Sequence, residues 1–128
     1  ATLHRCVWIF LSFASKSPEN VSLMSLLKKA KVDLNTSEKS TGFTALFIAC
    51  EEENDVAVKF LIESGCDVNY KNDMDSTPIF YVANKACLQL LLDAGADVEH
   101  TNSAGEQPLS TLIVHKNGSE MISTLVAA

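Results

Sequence analysis

Two short phrases recur in fixed order along this chain, and a repeat of roughly thirty residues constrains what it can fold into more than any other feature. The first phrase runs Thr44-Ala-Leu-Phe47, Thr77-Pro-Ile-Phe80 and Gln107-Pro-Leu-Ser110, with a worn copy at Ala1-Thr-Leu-His4. The second runs from Leu61 to Asn69 and from Leu91 to Glu99, with a looser copy from Leu27 to Asn35. Leu46 and Ile79 lie 33 residues apart, Leu3 and Leu46 43, and Ile79 and Leu109 30. The period varies where a turn absorbs the change.

Each phrase makes local sense. Thr44 and Thr77 stand where a side-chain oxygen caps a helix, and Pro78 and Pro108 suit the first helical position. Gly65 and Gly95 stop a second helix, because the residue after a helix end often takes a left-handed conformation. Between these signals Val58, Leu61 and Ile62, like Leu88, Leu91 and Leu92, recur at helical spacing and mark one buried face. Each unit reads as helix, short turn, helix and polar turn. Neither helix buries its stripe alone, so the units stack into a solenoid.

The two phrases resemble the ankyrin repeat, whose pattern pairs a TPLH phrase with an LLxxGADVN phrase, best from Lys39 to Thr101. The resemblance implies an all-α solenoid of stacked antiparallel helix pairs with projecting hairpin-like loops. It implies one domain over residues 1–128, with approximate repeats 1–38, 39–71, 72–101 and 102–128. Three departures matter. Phe47 and Phe80 replace the family's His, so apolar packing must substitute for its hydrogen bonds. Lys31 sits where the helix-stopping Gly belongs, and Lys28 stands in a Leu position. The third repeat lacks three residues around Asn84, Lys85 and Ala86, which should shorten one or both of its helices.

The chain has 128 residues, 47% of them hydrophobic, enough for one core. A formal charge of −6 argues against binding a phosphate backbone, so no nucleic-acid partner is expected. Cys6, Cys50, Cys66 and Cys87 sit in apolar or small-residue settings with no CxxC pair, and read as buried free thiols of a reducing compartment. The apolar run from Cys6 to Ala14 is too short to cross a bilayer and reads as a buried helix, so no membrane association is expected. No small-residue cleavage pattern follows it. The sequons at Asn20, Asn35 and Asn117 are therefore read as chance, and the expected location is cytoplasmic or nuclear.

Catalysis needs a nucleophile, a base and an orienting group in one pocket. His4, His100 and His115 fall in three repeats, with His100 and His115 read as loop or helix-surface residues, and no GxSxG, HExxH or P-loop string occurs. No catalytic residues and no cofactor are expected. A structural metal wants closely spaced Cys or His pairs, and the cysteines all have a packing explanation.

By the resemblance, partner contacts come from the concave face and the hairpin tips. The candidates are Thr41, Phe43, Glu51, Glu52, Asp73, Met74, Ser76, Asn84, Lys85, Glu106 and His115. Phe43 and Met74, an aromatic and a Met among polar turn residues, have the composition of interface anchors, with tucking against a neighbouring loop as the alternative. Glu53, Asn54 and Asp55 read as a solvated turn. Asn69 resembles the Asn that intracellular asparaginyl hydroxylases modify in ankyrin repeats, although a hydrogen bond across the hairpin is the preferred reading. The implied function is a non-catalytic module that binds a protein partner, one with a basic or mixed basic-apolar segment. The alternative is a targeting or autoregulatory segment of a larger enzyme whose catalytic domain lies elsewhere.

Overall fold

The computed structural model describes residues 21–31, 33–113 and 118–127. Ala1 to Ala14, the sequons at Asn20 and Asn117, and His115 lie outside them. The described residues form helices and turns with no strand: α1 (Val21–Lys29), α2 (Ala45–Glu51), α3 (Asp55–Glu63), a 3₁₀ helix (Pro78–Tyr81), α4 (Lys85–Asp93), α5 (Pro108–Ile113) and α6 (Gly118–Val126).

Two layers result. The first helices α2, 3₁₀ and α5 pack side by side in one, and the second helices α1, α3, α4 and α6 in the other. A single core runs between them, with Leu46, Cys50, Val58, Leu61, Ile79, Leu88, Leu91, Leu112 and Met121 all essentially inaccessible. Of the apolar faces read from spacing, Val58, Leu61, Leu88 and Leu91 bury fully, each Leu adding roughly 2 kcal/mol to the stack, while Ile62 and Leu92 are half-buried at its edge.

Helix ends are set by three devices. Asn54 Oδ1 accepts from Ala57 N at 3.2 Å and Asn84 Oδ1 from Cys87 N at 2.9 Å, which caps α3 and α4. Thr44 and Thr77 do occupy the N-cap positions of α2 and the 3₁₀ helix, with extended backbones, but neither side chain makes a cap bond. Their carbonyls close the first turn instead, Thr44 O accepting from Phe47 N and Thr77 O from Phe80 N. At the far ends Gly65 and Gly95 have φ of +89° and +91°, and Lys31 adopts φ +60° in their place.

The three missing residues come entirely from the first helix of the third pair. It shrinks to four residues of 3₁₀, after which Val82 continues in extended backbone and stays buried. α4 keeps nine residues, the same as α3. A shortened α4 would remove Cys87, Leu88 or Leu91 from the core, whereas the 3₁₀ helix loses nothing that Val82 and Ala83 do not refill.

Candidate functional site

Three loops project beside the first-helix layer, and each closes on itself. Glu38 N donates to Phe43 O at 2.8 Å, Asn72 N to Ser76 O at 2.9 Å and Asn102 N to Glu106 O at 2.9 Å. The residue before each closure is left-handed: Gly42, Asp75 and Gly105, at φ of +77°, +58° and +79°. Asn72 Oδ1 accepts from Met74 N and Ser76 N, and Asn102 Oδ1 from Ala104 N and Glu106 N. In the first loop Glu38 replaces that Asn. Its carboxylate accepts from Ser40 N, Ser40 Oγ and Thr41 Oγ1, and those donors, the Ser40 side chain first, hold it below the usual carboxylate range.

Neighbouring loops are tied through backbone bonds. Asp73 N donates to Thr41 O at 3.1 Å, and Ser103 N donates to Met74 O at 2.9 Å. This brings Thr41, Asp73 and Met74 into one row of exposed tips, with Met74 52% exposed at its centre. Glu106 is exposed at the end of the row, its Oε1 accepting from Asn102 Nδ2. Glu51 and Glu52 are exposed at the other end of α2, about 10 Å of helix away from the tips. Partial desolvation, and then the charge of Glu52, raises the Glu51 pKa.

Other candidates lie elsewhere. Phe43 is half-buried: its ring stacks on Phe47 with centroids 5.1 Å apart and meets the edge of Tyr81 at 5.0 Å, so it is a packing residue rather than a free anchor. Ser76 is 2% exposed and its Oγ accepts from Asn102 Nδ2, which removes it from any contact surface. Asn84 serves as the cap of α4 and reaches Glu53 O with its Nδ2. Lys85 belongs to the second-helix layer, where it lines a shallow groove with Gln89 and Glu120. His115 is outside the described residues. Nor is Asn54 a solvated turn residue, since its cap position leaves it 1% exposed.

Three side chains gain roles that the sequence reading assigned otherwise or missed. His100 lies in a loop, as expected, but is anchored there: its Nε2 donates to Asp75 O at 2.7 Å, and its ring meets Phe80 edge-on. Tyr81 is missed because only the fold brings it to Phe43 and Phe47. Leu109 is 41% exposed although Leu46 and Ile79, at the same place in their phrases, are buried. Asn69 bridges helix pairs, accepting from Asp97 N at 2.9 Å and donating to Gly95 O at 3.3 Å, and Asn35 repeats the first bond with Asp67 N. The sequence reading has Asn69 bonding across its own hairpin; its side chain does hydrogen-bond, but to the next repeat instead. Among the described residues no His, Cys, Asp or Glu cluster could hold a metal ion, and no helix is long and apolar enough to cross a membrane.

The sequence also matches those of known proteins. Residues 11–102 match the pattern of ankyrin repeats, in three copies. Over 62 residues the chain is 39% identical to alpha-latrocrustotoxin-Lt1a of Latrodectus tredecimguttatus, a match covering 48% of this chain and 4% of that protein. It is 33% identical over 85 residues to the human SH3 and multiple ankyrin repeat domains protein 2, covering 63% of this chain and 4% of the relative. To ankyrin repeat protein nuc-2 of Neurospora crassa it is 30% identical over 80 residues, covering 60% and 8%. The chain spans less than a tenth of the length of each relative. With its paired helices, bridged loops and matching phrases, the chain belongs to the ankyrin-repeat family.

Proposed function

We propose that the row of loop tips, together with the acidic end of α2, binds a basic or mixed basic-apolar segment of a protein partner. Ankyrin repeats are generally protein–protein interaction modules and typically non-catalytic. The observation that carries the finer reading is Met74, 52% exposed at the centre of tips whose backbones are cross-linked to one another. An adaptable apolar side chain on a rigid, polar-rimmed row is the composition of an interface anchor. Asp73 and Glu106 in the row, and Glu51 and Glu52 farther off at the other end of α2, add negative charge, which steers and orients a cationic segment. The free Cys50, Cys66 and Cys87 fit a reducing compartment, cytoplasm or nucleus.

Selection of a random peptide library on the immobilised chain tests the reading, followed by titration of the recovered peptides. They should be rich in Lys and Arg around an apolar residue. Met74→Ala should weaken them by about 2 kcal/mol, while Asp73→Lys should slow association most at low salt. Recovery of acidic peptides, or of no peptide whose binding falls with either substitution, defeats the proposal.

A further inference from the structure

The opposite face of the stack carries a second feature. Between α3 and α4 in the second-helix layer lies a groove of about 650 Å³, continued toward the helix C-termini by a smaller one of about 180 Å³. Its floor is apolar: Val56 is 43% exposed, and Phe60 and Leu90 are half-buried. The repeat itself explains the opening. Val56 and Ala86 stand at the same place in helices 30 residues apart, as do Phe60 and Leu90, so a small side chain faces Val56 where a large one would close the gap. Leu26, just before the matching phrase in α1, extends the apolar row and is 62% exposed.

The rim is charged and unbalanced. Asp55 and Glu63 border the groove from α3 and Asp93 from α4, against the ammonium of Lys59 on the rim and that of Lys28 beside it. Gln89 Nε2 donates to Asp93 Oδ1 at 2.9 Å, which holds that carboxylate in place. Among the described residues no ion pair joins Lys59 to Asp55 or Glu63. Phe60 already hosts a cation, since Lys28 Nζ of α1 sits 5.8 Å from its ring centroid. The groove wall thus combines apolar contact with a preference for positive charge.

We propose that this groove docks a basic amphipathic helix of a partner protein. Two parallel nine-residue helices form a trough about 13 Å long, which accommodates about two and a half turns of a third helix laid along them. Apolar residues of that helix at three- and four-residue spacing fill the floor, and its flanking Lys or Arg side chains meet Asp55, Glu63 and Asp93. The site lies in the other layer from the loop tips, so each can fail without the other.

The test uses the full chain and two synthetic helical peptides of 14 residues with one Leu face, flanked by Lys in the first and by Glu in the second. The Lys peptide should bind and shift the amide resonances of Val56, Phe60 and Leu90, whereas the Glu peptide should not bind. Val56→Arg fills the floor from an exposed position, and Glu63→Lys reverses the rim. Each should weaken the Lys peptide at least tenfold at the groove, read from the Val56, Phe60 and Leu90 resonances, at an unchanged Tm, with Met74→Ala leaving those shifts intact whatever the peptide does at the loop tips. Equal binding of both peptides overturns the proposal, since it marks apolar adhesion without charge selection. Loss of the shifts at Val56, Phe60 and Leu90 with Met74→Ala in place of Val56→Arg overturns it too. So does self-association of the chain that Val56→Arg abolishes, because the occupant is then a second copy.

Discussion

At the scale of single residues, backbone conformation decides more than chemistry does. Gly42, Gly65 and Gly95 all have positive φ, yet they answer to different demands. Nothing lies within 4 Å of where a Cβ on Gly65 would stand, so Gly65→Ala should lose only the left-handed preference, about 1 kcal/mol. A Cβ on Gly42 would meet Asp73 N at 2.9 Å and Asn72 Cα at 3.0 Å, in the backbone that bonds to Thr41 O. Gly42→Ala should therefore lose about 3 kcal/mol, the conformational term plus a displaced loop. Urea unfolding of the two variants separates them, and equal losses would mean that the loops do not press together here. Lys31 shows that the left-handed helix stop tolerates a side chain where space is open. The sequence marks Gly65 as a helix stop, but only the fold shows that Gly42 is a contact.

At the scale of elements, the repeat phrases locate the helices well and their caps poorly. The Thr of the first phrase stands in the right place with its side chain unused, and Thr77 Oγ1 is buried without a hydrogen-bond partner. The capping work falls to Asn54 and Asn84, residues that read from sequence as a turn and as a surface contact. Asn84→Ala should destabilise by about 1 kcal/mol, while Thr77→Val should be neutral or stabilising, because it deletes an unpaired buried hydroxyl of the same shape. Thermal unfolding checks both, and the reverse ranking would return the cap to the Thr. The three-residue deletion was equally visible in sequence, but its flanks belong to both helices of the pair. Burial of Leu88 and Leu91 decides that the first helix gives way.

At the scale of the whole molecule, stacking closes one core across every pair, and the thiols report on it. Burial first, and then nearby negative charge, raises the pKa of all three described cysteines, with Cys66 and Cys87 pushed up to about 12. A group raised in the fold stabilises the protein below its unfolded value and ceases to as pH climbs from about 9 to about 12. At pH 8 the thiolate fraction of Cys66 and Cys87 should be roughly a thousandfold below that of the unfolded chain, one decade per pKa unit. Reaction with a thiol reagent should be correspondingly slow until denaturant is added, and rapid native labelling at Cys87 would contradict a closed stack. The sequence by itself determined the repeat, the paired helices among the described residues, most of their buried faces and the apolar replacement of the family's His, because periodicity and turn chemistry act over a few residues. Tertiary structure alone decided which turn residues are surface. Phe43 meets Tyr81 from 38 positions away, Asn69 bridges to Asp97, and the groove by Val56 depends on the small residue that the next repeat sets opposite it. These contacts form between repeats, and a pattern read along one repeat carries no information about the side chains its neighbour presents.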